Sequence, residues 1–514
     1  MNQLFDRLFD SSTSKDGLDS FLNENIQAIT DSYNCEYESI IQYRDTIERF
    51  ILLKAGIIEQ LDYNHSYNKA FISMLLDLCE RFSLYAATPR IYDVLEKNQI
   101  VIGHRLQAAL LYLYNIDCNS RLIERFEEIC ENLQISLEEE EDNNSKILAT
   151  FLNYYATVLL NTPLEYGTKL KLKIQESVDT ASYIFFQDKS IYEALTIDIS
   201  NPNIAFIQIQ SIIDKILNKS GQIKHIIPDL ETLLIEQGTE YCELIKHVNR
   251  NFKSIRKVSI DIFKELSDKN EIYLSLGRGV AILENDKQMY SYMNSYGSVH
   301  QAKMLSALEF VNFSSITNNI EVFDWSCGQG LASIVLLDYL KTKRHPASIS
   351  KITLIEPSII CLKRAALHIT TFDNSIKLST ICKDLDSIAL EDIKSNPEWT
   401  KVHLFSNILD VETFSLSRLI EKIDCTQKGV NFFICVSPYI TDAKTDRVES
   451  FMRYFVRKNG SYHLLGEGTN GGRMHDTYWC CNNKFNNCMC AEHPHTCNGE
   501  KKWTRIIRVF KVDL

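Results

Sequence analysis

VFDWSCGQGLAS (residues 322–333) is an apolar run that breaks into small residues and two glycines. It reads as a strand with Asp324 near its end, entering a tight turn and then a helix from about Leu331. At the carboxyl edge of a parallel sheet, such a turn lets a ligand approach the backbone, and the free N–H groups of the following helix face it. The stretch is not a P-loop, because no Gly-Lys-Ser/Thr follows. It also lacks the full G-x-G-x-x-G pattern, since only Gly328 and Gly330 stand together. Ser326 fits such a turn on the condition that it keeps a negative φ.

From Glu321 onward, strand-like runs at 321–326, 351–357, 377–384, 402–408 and 430–438 alternate with helical stretches that begin near residues 331, 358, 387, 413 and 442. That alternation predicts an α/β domain with a parallel sheet covered on both faces. Two last runs, 462–468 and 503–512, have no helix between them and predict an antiparallel hairpin at one edge, giving seven strands. Upstream, residues 20–270 show apolar positions three and four apart throughout, as in SKILATFLNYYATVLLN (145–161), without a fixed repeat period. An all-α bundle or an irregular stack of helix pairs is expected there. Residues 273–320, with Gly277, Gly279 and Gly297 breaking two short helical patterns, read as a helical linker or lid. The expected organisation is therefore 1–272 helical, 273–320 linker and 321–514 α/β, with a cysteine-rich insertion at 478–500 in the closing hairpin.

The chain has 514 residues and a formal charge of −12, divided as −14 over the first 280 residues and +2 over the rest. An acidic helical half is a poor general nucleic-acid binder and a suitable surface for a protein partner. No run is long and apolar enough for a membrane span, and the start lacks the pattern of a signal peptide, so a cytoplasmic protein with no membrane partner is expected.

Two further acids accompany the glycine turn. Glu356 ends the next strand in TLIEPS, 32 residues after Asp324, and Asp384 ends the third in TICKDLDSI. A carboxylate at the second strand tip suits a ribose diol, and one at the third suits an adenine amino group. A pyrophosphate would be repelled by three acids, whereas a ligand with ribose, adenine and a cationic centre would not. FDWSCGQGLAS, LIEPS, CKDL and VHLFSNILDV, in this order and spacing, resemble the motifs of class I S-adenosylmethionine-dependent methyltransferases, a Rossmann-like fold. The resemblance covers about residues 290–514. It implies a seventh strand lying antiparallel between its neighbours. It also implies that Asp324, Ser326, Gly328 and Gly330 surround the methionine end of S-adenosylmethionine, Glu356 the ribose and Asp384 the adenine, with Asn407 beneath the methionine. His300 and Lys303, three apart on the preceding helix, would cover the cofactor, and one of them would reach its carboxylate.

Asn407, Asp410, Ser437 and Tyr439, after strands four and five, are the candidate catalytic and acceptor-facing residues. SNIL is not the N/D-P-P-Y/F/W motif of amino-methylating nucleic-acid enzymes, and VSPY is not the Pro-Cys pair of cytosine-C5 enzymes. Cys480, Cys481, Cys488, Cys490, His493, His495 and Cys497 supply more ligands than one tetrahedral zinc site needs, without paired C-x-x-C hooks, so a zinc site or an unmetallated, substrate-facing hairpin loop is expected. Basic groups at Lys341, Lys343 and Arg344, at Arg453, Arg457 and Lys458, and at Lys501, Lys502, Arg505 and Arg508 favour RNA over protein or a small molecule as acceptor. The expected function is methyl transfer from S-adenosylmethionine. The alternative is a noncatalytic scaffold or sensor that binds the cofactor and acts through protein contacts.

Overall fold

The structure, a computed structural model, describes residues 2–35, 40, 43–114, 119–138, 142, 144–219, 233–345, 348–439, 442–456, 461–470 and 505–514. The chain divides into two compact units, Met1–Lys224 with Ile440–Asp446, and His225–Tyr439 with Arg447–Leu514.

The first unit is helical among its described residues. Its long helices, such as Ser66–Phe82 and Asn144–Asn161, bury nearly whole faces. One core runs from Leu8 to Leu106 and a second from Ala108 to Ile216. An ionic cluster sits in its interior. Arg105, 1% exposed, reaches Asp77 at 2.5 Å, Asp142 at 3.1 Å and Glu80 at 3.4 Å. Glu80 also accepts from Tyr112 and Asn153. Burial pushes the Glu80 carboxyl up, against the pull of Arg105, and the three acids hold the Arg105 guanidinium above its ordinary range despite burial.

The second unit is built on seven strands: β1 Ile320–Trp325, β2 Ile349–Ile355, β3 Lys377–Ile381, β4 Thr400–Ser406, β5 Val430–Ser437, β6 His463–Asn470 and β7 Arg505–Asp513. Their order is β3-β2-β1-β4-β5-β7-β6. The first five are parallel, and β7 lies antiparallel between β5 and β6, the closing arrangement that the methyltransferase resemblance implies. Alternate residues serve opposite faces, as the period-two geometry of a strand requires. Val322, Leu354 and Leu404 enter one core, while Phe323, Trp325 and Phe405 enter another.

The helices of this unit are α1 Glu240–Lys246, α2 Phe252–Lys264, α3 Lys269–Leu274, α4 Asp286–Leu308, α5 Leu331–Lys343, α6 Ile359–Phe372, α7 Leu416–Thr426 and, from Arg447 onward, α8 Asp442–Val456. The expected boundary near 272 falls inside the unit. Tyr241, Ile245, Phe252, Ile255 and Phe263 of α1 and α2 pack in the same core as Val322 and Leu354. Two local expectations are corrected. No helix begins near 387; residues 382–399 form turns fixed by side chains, with Asp384 accepting from Ser387 and Asp392 from the Ala389 N–H. Gly297 does not break a helix either, because α4 runs through it. A Cβ there would stand 3.0 Å from Cδ and Nε of Arg256, so glycine admits the close approach of that buried side chain.

Candidate functional site

The order β2-β1-β4 places a topological switch at β1, where α/β folds bind ligands beyond the carboxyl strand ends. The turn after β1 is tied to its neighbours by backbone and side-chain hydrogen bonds. Cys327 N donates to Ile355 O at 2.9 Å, and Gly330 N to Cys327 O at 2.7 Å. Gln329, fully buried, donates its side-chain amide to Met289 O of α4 at 2.9 Å. Gly330 has φ 78° and caps α5. A Cβ at that position would meet the Ala365 Cβ at 3.1 Å, so α5 and α6 cross closely there. Gly328, at φ 52°, is different: a Cβ would meet nothing within 4 Å, so the turn has an open face.

Ser326 departs from expectation. Its φ is +56°, not negative, so a residue with a Cβ holds a left-handed conformation between the strand and the glycines. Asn407, just past β4, adopts φ +57°. Two non-glycine residues at the ends of adjacent strands thus carry backbone strain, which concentrates at functional sites.

The two acids converge on this turn. Asp324 Oδ2 accepts from Ser333 N at 3.1 Å and Ser333 Oγ at 2.6 Å, locking the strand end to the first turn of α5. Glu356 accepts from Gly328 N at 2.9 Å through Oε2 and from Ser358 N at 3.0 Å through Oε1. Burial pushes Asp324 up to about 6, against the Ser333 hydrogen bonds. It pushes Glu356 up to about 7, with Asp324 adding to the rise and the backbone donors opposing it. Among the described residues, no cation pairs with either carboxylate. Asp384 stands three residues past β3, half-buried, with both carboxylate oxygens on Ser387.

On the β4 side, the structure brings His300, Lys303 and Asn407 together. Lys303, 3% exposed, donates to Asn407 Oδ1 at 3.3 Å, and Asn407 Nδ2 donates to His300 Nε2 at 2.8 Å. His300 Nδ1 therefore carries the proton and donates to Ser406 Oγ at 3.1 Å, while the Tyr292 hydroxyl also reaches Nε2 at 3.3 Å. Burial first, and Lys303 second, lower His300 to about 3, so it is neutral. The Asn407 side chain is thus held on both polar atoms, and its backbone N–H donates to Val436 O. Ser437 ends β5 at 1% exposure, and its hydroxyl has no hydrogen-bond partner among the described residues. Asp410 and Tyr439 are half-buried in the loops that follow β4 and β5.

Cys480, Cys481, Cys488, Cys490, His493, His495 and Cys497 lie outside the described residues. Among those described, no group of three or more His, Cys, Asp or Glu side chains is arranged to hold a metal. No described helix is long and apolar enough to cross a membrane. Sequence reading did not assign Ser333, Ser358, Tyr292, Ser406 or Gln329. Ser333 alone had a local signal, as a small hydroxyl in the first turn of the helix that follows Asp324.

No family model and no curated protein sequence matches the chain. Among solved structures, it is similar to the plantazolicin methyltransferase BpumL in complex with SAH, at 13% identity over 50% of this chain and 99% of that one, with a TM-score of 0.29. A candidate class I S-adenosylmethionine-dependent methyltransferase from Listeria monocytogenes is similar at 12% identity over 77% of this chain and 89% of that one, with a TM-score of 0.28. A candidate RNA methyltransferase from Pyrococcus horikoshii is similar at 12% identity, 41% and 85% coverage and a TM-score of 0.24.

Proposed function

We propose that the chain is an S-adenosylmethionine-dependent methyltransferase. One observation carries the reading: two adjacent buried carboxylates, with no counter-cation among the described residues, flank a glycine turn with an open face, at the switch point of a sheet whose seventh strand runs antiparallel. Uncompensated buried charge is costly and is retained where a ligand supplies the compensation. S-adenosylmethionine fits that demand, because it brings an ammonium, a sulfonium, a ribose diol and an adenine. Glu356 would accept from the ribose hydroxyls through its remaining lone pairs, Asp324 and the glycine turn would hold the ammonium end, and Lys303, buried beside Asn407, would take the methionine carboxylate. Asp384 would take the adenine amino group through the lone pairs that Ser387 leaves.

When bound, the cofactor supplies an electrophilic methyl group, and the protein's task is to orient the acceptor in line with it. Asp410, Ser437 and Tyr439 would border the acceptor, and Asn407, hydrogen-bonded to His300 and Lys303, would lie beneath the methionine. RNA is the first acceptor class to test, followed by protein and small molecules. The basic groups that favour RNA are partly engaged already: Arg508 with Glu449, Lys343 with Glu309, and Arg505 with Ser306. The acidic helical half is proposed to recruit the acceptor or a protein partner. Incubating the full chain with methyl-labelled cofactor and fractionated cell extract tests the assignment. Label in one macromolecular fraction is expected. Cofactor binding without transfer to any fraction would instead establish the scaffold or sensor reading.

A further inference from the structure

Helix α6 contains a buried histidine that the contacts proposed for the cofactor leave unused. His368 is fully buried, and its Nδ1 lies 2.9 Å from the backbone carbonyl of Gln329, between the two glycines of the turn. A carbonyl only accepts, so Nδ1 carries the proton and Nε2 is an acceptor. The hydroxyl of Tyr241, in α1, donates to Nε2 at 2.8 Å. Ser259 Oγ of α2, 3.3 Å from the same phenol oxygen, donates to it in turn. Burial lowers His368 to about 4, which keeps the neutral form this pattern requires. Tyr241 is held in place as well. The Arg364 guanidinium lies 3.7 Å from its ring centroid, and Arg364 is ion-paired with Glu236. Glu236 N donates to Lys363 O, and Leu234 N to Thr380 Oγ1, so residues 234–236 are fastened to α6 and β3.

We propose that Tyr241 and His368 are positioning residues for the cofactor: the column from α1 through His368 to the Gln329 carbonyl presets the glycine turn for binding. The proposal rests on the cofactor reading above. Residues 326, 328 and 330 all have positive φ, and glycines give a free turn many alternatives. Fixing the peptide between Gln329 and Gly330 removes part of the ordering cost at binding, which raises affinity without any new ligand contact. The column also gives residues 234–264, which lie upstream of the sheet, a role at the site.

The test is calorimetric titration of the full chain with S-adenosylmethionine, paired with thermal melts of the same samples. Tyr241→Phe keeps the ring under Arg364 and removes only the hydroxyl. It should raise Kd about fivefold, the equivalent of one net hydrogen bond. His368→Ala should raise Kd about tenfold or more, and His368→Asn, whose amide can donate to the Gln329 carbonyl, should recover part of that loss. Adding Tyr241→Phe to His368→Ala should weaken binding no further, because the column is already broken. Wild-type affinity in Tyr241→Phe and His368→Asn, even with a lowered melting temperature, would overturn the proposal and leave the column structural. If His368→Ala fails to fold, those two variants decide. Absence of binding by the wild type would sink the cofactor reading itself. Wild-type binding that is lost in Glu356→Ala and unchanged in Tyr241→Phe would sink only the positioning column.

Discussion

The two buried polar clusters of this chain solve the same physical problem in opposite ways. Around Arg105, the carboxyls of Asp77, Asp142 and Glu80 meet a guanidinium inside the helical unit, the Lys146 ammonium lies 3.7 Å from Asp77, and burial pushes Glu80 toward its neutral form, which together bring the charges toward balance. Around the glycine turn, Asp324 and Glu356 accept only neutral N–H and O–H donors, and burial raises both above the usual carboxylate range. The first cluster is closed on itself and serves the fold. In the second, no cation among the described residues pairs with either acid, and the cluster borders the open face of Gly328 and sits beside the strained Ser326. Burial alone does not distinguish a structural cluster from a binding site; what distinguishes them is whether the charges balance without a ligand.

Breaking the closed cluster should have the largest effect on stability. Arg105→Met takes the guanidinium from three buried acids, leaving Lys146 beside Asp77, and is expected to cost about 3–5 kcal/mol in denaturant unfolding of the full chain. Breaking the open cluster should act on binding instead. Glu356→Ala is expected to weaken S-adenosylmethionine binding about 100-fold, the value of two hydrogen bonds to a charged group, with far less loss of stability than Arg105→Met. The contrast also predicts a pH dependence. A cationic ligand needs the ionised acids, so affinity should rise about tenfold between pH 6 and pH 8, as Glu356 (about 7) and Asp324 (about 6) lose their protons. Glu356→Gln should flatten that profile. In the ligand-free protein the sign reverses. The raised carboxyls contribute stability that is fully present below about pH 4 and lost as pH rises through 6 to 7. The smallest expected effect is at Ser326: glycine there relieves a left-handed φ and should stabilise the protein by about 1 kcal/mol in the same unfolding assay.

The strands, the glycine turn and the acids Asp324 and Glu356 were legible because each is a local pattern of apolar runs, small residues and a carboxylate near a strand end, whereas Asp384, expected to end the third strand, stands three residues past it. Local pattern could not reveal the sign of φ at Ser326, which depends on Cys327 being tied to Ile355 across the sheet. His300 and Lys303 were legible as one helical face, but their convergence on Asn407 depends on where β4 ends beneath α4. The placement of α1 and α2 was illegible for a different reason. Apolar spacing reads the same whether a helix packs on helices or beside a sheet, so residues 240–264 looked continuous with the helical half. The column from Tyr241 through His368 to Gln329 joins three distant segments and has no sequence signature at all.

The most direct measurement is an isothermal titration of the full chain with S-adenosylmethionine at pH 8, run alongside Glu356→Ala. One molecule bound per chain by the wild type, with the heat abolished in the variant, is the predicted result. No binding by a folded wild type, or equal binding by both proteins, would contradict the claim that the open carboxylate cluster is the cofactor site.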